Sequence, residues 1–184
     1  MKELSLNILD IAQNSIRAEA TRIEILIDET ETTLRLTIRD NGYGMSEDFV
    51  KTVTDPFSTT RTTRKVGMGI PLLKLAAEQT GGTFSIRSVE RSVDPEHCGT
   101  ETSALFYKNH LDFTPLGDVV SSIVLLIRAS EKTDFVFRHT MPDRTVALDT
   151  RELRQVLGEE VPLDEYEVLA LIRDMLKEQY AAEA

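Results

Sequence analysis

The sequence predicts an α/β two-layer sandwich: a mixed, mostly antiparallel β-sheet backed by helices on one face, followed by a small C-terminal α/β appendage. Two observations carry this reading. Ile23, Ile25 and Ile27 alternate with Arg22, Glu24 and Asp28, and Leu34, Leu36 and Ile38 alternate in the next segment, with a polar turn at 29–33 between them. That is the pattern of two half-buried strands folded back on each other. Segments of helical period lie before and after them, near residues 4–18 and 69–80.

From about Leu4 to Ala18, Ile8, Ile11, Ala12 and Ser15 share one side of a helix. Asp10, Asn14 and Arg17 fall on the other side, within an arc of roughly 60° at about 100° per residue. Ser46 is placed to cap a short helix carrying Phe49, Val50 and Val53. Periodicity is lost from Asp55 to Val66. Gly67-Met68-Gly69 opens the next helix with Pro71 in its first turn, and Gly81-Gly82 closes it. Residues 83–89 and 102–107 read as a further strand pair. Beyond Tyr107, the sequence predicts a helix over 116–129 and strands around Phe135 and Val146, with a turn at Met141-Pro142-Asp143. Two helices follow, one capped by Asp149 or Thr150 and one over 163–181. The boundary falls near residue 112, giving units 1–111 and 112–184, the second a helix–hairpin–helix appendage.

At 184 residues the chain is long enough for a substantial core. Its net charge of −10 argues against a sequence-independent grip on nucleic acid or an anionic membrane. Cys98, the one cysteine, permits no internal disulfide and fits a reducing cytoplasm. No run of about 18 apolar residues is present to span a bilayer.

Four segments carry chemistry. Period-two geometry puts Asp40 on the buried face with Leu34, Leu36 and Ile38, where a carboxylate needs hydrogen-bond donors. Gly42 and Gly44 follow it and let a ligand come close, although D-x-G-x-G also serves as an ordinary strand exit. The Asp10–Asn14–Arg17 stripe can hold a divalent cation, position a water or meet a phosphate; it can equally be a solvated helix face. Gly67 and Gly69 expose helix N–H groups to phosphate, though a lone G-x-G is commonly only a cap. The stretch 57–65 brings three cations (Arg61, Arg64, Lys65) and five hydroxyls to the front of that helix, a polyphosphate clamp in an otherwise acidic chain.

In this order the segments resemble the motifs of the GHKL (Bergerat-fold) ATPase superfamily. Leu9–Arg17 resembles its N-box, Asp40–Met45 its first glycine box, and Asp55–Thr60 the F-box of histidine kinases. Val66–Ile70 is similar to the second glycine box, and Gly99-Thr100-Glu101-Thr102 to the segment that opens a late strand. The F-box points to the histidine-kinase and anti-sigma-kinase branch, and Ala20-Thr21-Arg22-Ile23 reads like the mismatch-repair ATPases. The resemblance implies ATP and Mg²⁺ as ligands. It assigns Asn14 to the metal, Asp40 to the adenine, and Gly42 and Gly44 to the loop beneath the base. Gly67 and Gly69 go to the phosphate end of a lid, Arg17 to a phosphate, and Thr100 or Thr102 to the hydroxyl near the base. Asp10 matches the acid that orients the attacking water, one methylene shorter than the usual glutamate. The implied function is a stand-alone, kinase-like phosphotransfer enzyme acting on a partner protein, with a second copy of the chain, in a homodimer, as a further candidate partner. The alternative is an ATP-gated binding module that turns over slowly or not at all. Ile70-Pro71 departs from the usual second glycine box, and His97, His110 and His139 read as structural or incidental.

Overall fold

A computed structural model describes residues 3–54, 68–158 and 160–182. The elements run α1 (Leu4–Arg17), β1 (Arg22–Glu29), β2 (Thr33–Asp40), α2 (Glu47–Val53), α3 (Gly69–Gln79), β3 (Thr83–Val89), β4 (Gly99–Tyr107), α4 (Val119–Ala129), β5 (Asp134–Thr140), β6 (Thr145–Asp149), α5 (Thr150–Leu157) and α6 (Tyr166–Ala181). The six strands form one sheet in the order β3-β4-β2-β1-β5-β6. Every pairing is antiparallel except β1 with β5, which is parallel, so the sheet is mixed and mostly antiparallel, as the sequence predicts.

Register explains the core. Ile86, Thr102, Ile38, Ile25, Phe137 and Leu148 are consecutive cross-strand partners, and Ile38, Ile25 and Phe137 are almost wholly buried. α1 packs between α3 and α4, and α4 packs against α6, forming the helical layer. Ile8, Ala12, Ile123, Leu126, Ile172 and Leu176 meet this layer's side of the sheet and belong to the same apolar cluster as the strands. The opposite sheet face carries charge ladders such as Glu24–Arg39–Glu101, with partly exposed side chains.

The residues beyond 112 do form a helix, a hairpin and two further helices. The hairpin nonetheless extends the main sheet through β5 against β1, and α4 and α6 share its core. Without this pairing β1 would present an unpaired edge.

Element ends differ where local backbone decides them. α4 begins at Val119 rather than 116, because Gly117 takes φ 74° and Asp118 caps the helix, accepting from the Ser121 N–H at 2.9 Å. β4 begins at Gly99 rather than 102, paired with Val89.

Candidate functional site

Four chain segments converge at one end of the sheet. On the core face Ser88, Thr100, Asp40 and Ile23 are adjacent across β3, β4, β2 and β1. The Asp40 carboxylate is half-buried, as its place in the alternation predicts. Its Oδ2 accepts from the Ser15 hydroxyl at 2.6 Å, and its Oδ1 accepts from the Gly42 N–H at 2.9 Å and the Thr100 N–H at 3.3 Å. Burial pushes its pKa up, while the bonds from Ser15, Gly42 and Thr100 pull the other way without cancelling the rise.

The loop after Asp40 is stitched to its surroundings. Tyr43 donates its N–H to Ala18 O at 2.9 Å and accepts from the Arg91 N–H at 2.8 Å. Met45 donates to the Ser88 hydroxyl at 2.8 Å. Gly44 sits at φ 70°, and a Cβ there would lie 1.9 Å from Val89 O, so no other residue fits.

A cavity of about 880 Å³ opens beside this carboxylate, within the range of about 300–1,000 Å³ usual for small-molecule sites. It connects Asp40, Thr100 and Thr102 with Asn14 and Arg17 on α1, and is walled by Ile11, Ile38, Met45, Phe49, Val53 and Ile70. Gly44 and Glu90 also line it. Its end at Asp40 thus combines carboxylates and threonine hydroxyls with apolar walls, and its end at α1 carries an amide and a guanidinium. Asn14 Oδ1 accepts from the Arg17 guanidinium at 3.0 Å.

Asp10, Gly42 and Gly69 do not line the cavity. Asp10 is exposed, and a Cβ on Gly69 would come within 2.9 Å of its Cβ, so the start of α3 abuts α1 at Asp10. Asn7, one turn earlier on α1, is buried and donates to Gly69 O at 3.5 Å. Arg61, Arg64, Lys65 and Gly67, with the F-box stretch 55–60, lie outside the described residues. In the sequence Ser15 reads as core filler, and Ser88 and Glu90 stand unmarked. A serine on an apolar helix stripe, one residue after the polar Asn14, is the signal that marks the first. Nothing local marks the other two.

Known proteins place the chain. A family model described as histidine kinase-, DNA gyrase B- and HSP90-like ATPase matches residues 2–111. The C4-dicarboxylate transport sensor protein DctB of Pseudomonas aeruginosa is 31% identical over 89 residues, covering 47% of this chain and 14% of that protein. The chain therefore spans a small part of that relative. The Aquifex aeolicus MutL ATPase domain complexed with ADP superposes with a TM-score of 0.53 at 16% identity, over 85% of this chain and 69% of its own. The N-terminal domain of a DNA repair protein gives 0.54 at 13% identity, over 81% and 53%. At such identities the likeness is one of fold, and it extends beyond residue 111.

Proposed function

Because the chain belongs to the histidine kinase-, DNA gyrase B- and HSP90-like ATPase family, we propose that it binds ATP with Mg²⁺ and transfers the terminal phosphoryl group to a partner protein. The observation that carries this reading is a continuous cavity joining the Asp40 carboxylate to Asn14. A carboxylate offers about four lone-pair positions, and three donors occupy Asp40, leaving room for the exocyclic amine of adenine.

The donor set suits magnesium at the other end. Mg²⁺ keeps several waters and uses one or two protein ligands together with phosphate oxygens. Among the described residues no group of three or more His, Cys, Asp or Glu could cage a metal, and the Asn14 amide oxygen is a hard donor of the required kind. Asn14 would hold the ion, which when bound neutralises phosphate charge. The Arg17 guanidinium, bonded to Asn14 Oδ1 at 3.0 Å, would stand beside the ion, where it could meet a phosphate oxygen. In phosphoryl transfer such positioning and neutralisation supply most of the catalysis.

One observation favours a second reading, a nucleotide-gated binding module with negligible turnover: Asp10 is exposed and outside the cavity lining. Incubating the chain with γ-labelled ATP and candidate partners separates the two. Label on a partner supports transfer, and tight binding with neither label transfer nor phosphate release supports the gated module. Asn14→Ala should remove the magnesium-dependent gain in ATP affinity, and an unchanged response to magnesium would count against its assignment. Asp10→Asn should lower phosphate release; unchanged release removes it from any water-activating role. A wild-type chain that shows no ATP binding by calorimetry overturns both readings.

A further inference from the structure

The hydroxyl of Ser88 stands behind the cavity wall, on the strand next to Thr100. It does not line the cavity, yet it touches three groups that do or that shape it. Ser88 Oγ accepts the Met45 N–H at 2.8 Å, lies 3.0 Å from Gly99 O, and lies 2.8 Å from Thr100 Oγ1. A serine hydroxyl has one proton and two acceptor lone pairs. The Gly99 carbonyl can only accept, so the Ser88 proton goes there. The Met45 N–H fills one lone pair, and the Thr100 hydroxyl proton fills the other. Only this assignment satisfies all three contacts.

Its consequence falls on Thr100. With its proton committed to Ser88, Thr100 Oγ1 has only lone pairs left for the cavity. Asp40, its neighbour across the sheet, is the acceptor in each of its three hydrogen bonds, from Ser15, Gly42 and Thr100. We infer that Ser88 is a positioning residue that fixes the Thr100 hydroxyl as an acceptor and so sets the preference of this end of the cavity for a 6-amino purine over a 6-oxo purine. The inference rests on the adenine-nucleotide reading. A 6-oxo oxygen would face two acceptors with no proton between them, the arrangement by which a site excludes a near-isostere.

Removing the hydroxyl releases the Thr100 proton, which can then rotate toward a 6-oxo oxygen. The test is calorimetric affinity for ATP and ITP, with thermal denaturation to check folding. Ser88→Ala should narrow the ATP-over-ITP ratio by about tenfold, the size of one hydrogen bond changing sign. Ser88→Thr, which keeps the hydroxyl, should restore most of it. Thr100→Val should narrow the ratio similarly, and adding Ser88→Ala to it should narrow it no further. A Ser88→Ala chain that weakens ATP and ITP alike would show a merely structural role and overturn the inference, as would an unchanged ratio. If Ser88→Ala does not fold, Thr100→Val alone decides: an unchanged ratio overturns the inference. Wild-type binding of neither nucleotide overturns the nucleotide reading and this inference with it.

Discussion

Asp40 concentrates opposing demands in one side chain. Burial raises its pKa above the ordinary value of 3.8, against hydrogen bonds from Ser15, Gly42 and Thr100. With the folded pKa above the unfolded one, the carboxyl costs stability at neutral pH, and that cost disappears as pH falls below the unfolded value. A bound amine needs the ionised form, so nucleotide affinity should fall over the same acidic range in which the free protein gains. Asp40→Asn separates the two effects. The amide oxygen can still accept from Gly42 and Thr100, and its NH₂ can donate to Ser15, whose hydroxyl already lies 3.4 Å from Ile11 O. The variant should melt within a few degrees of the parent or above it, and should lose ATP affinity by about a hundredfold or more. Parental affinity by calorimetry would refute the adenine assignment. Asp40 was legible because alternation alone fixes the face of a strand residue. Ser15, its shortest partner, was not, because a serine among isoleucines reads as tolerated filler until β2 is laid against α1.

Elements were legible wherever their ends are set by neighbouring residues. Ser46 caps α2 by accepting from the Phe49 N–H, and Asp149 caps α5 by accepting from the Arg151 N–H. α4 starts late because Gly117 and Asp118 override an apolar period that runs past them. The start of α3 is a contact as well as a turn. Gly69 is buried against Asp10, and a Cβ there would need α1 and α3 to part by several tenths of an ångström. Gly69→Ala should therefore cost about 1–3 kcal/mol in urea unfolding, as overpacking does. A loss below a few tenths would mean that the two helices yield at that point. The sequence marked this glycine as a phosphate-facing residue. Its packing against α1 was invisible, since 59 positions separate the two side chains' places in the chain (69 − 10).

The whole molecule is closed by its C-terminal third. β5 lies parallel to β1, and α6 is fastened by a polar network at the sheet end remote from Asp40. His139, 2% exposed, bonds Glu29 through Nε2 at 2.9 Å and the Tyr180 hydroxyl through Nδ1 at 2.8 Å, and Lys108 also pairs with Glu29. Burial holds the His139 pKa below its ordinary 6.5, against the pull of Glu29. Burial would raise Glu29, but its bonds from Lys108 and His139 win and hold it below 4.5. Both folded values are depressed, so both contributions are present at neutral pH. The His139 contribution is lost as pH falls from about 6.5 through its lowered folded value, and that of Glu29 at more acidic pH. Urea midpoints should therefore drop between pH 7 and 5.5, and His139→Gln should flatten that slope; an identical slope in the variant would remove His139 as its source.

Residue order by itself determined which segments are strands or helices, which face each presents, and that a carboxylate, an amide and paired glycines recur in the pattern of one ATPase family, because periodicity and turn chemistry act between near neighbours. Tertiary structure alone decided that β5 joins β1, that Ser88, Thr100 and Asp40 form one row, and that His139 meets Glu29. Those contacts join residues as far apart as Arg22 and Asp134, where pairing depends on the packing of the whole sheet and leaves no local trace.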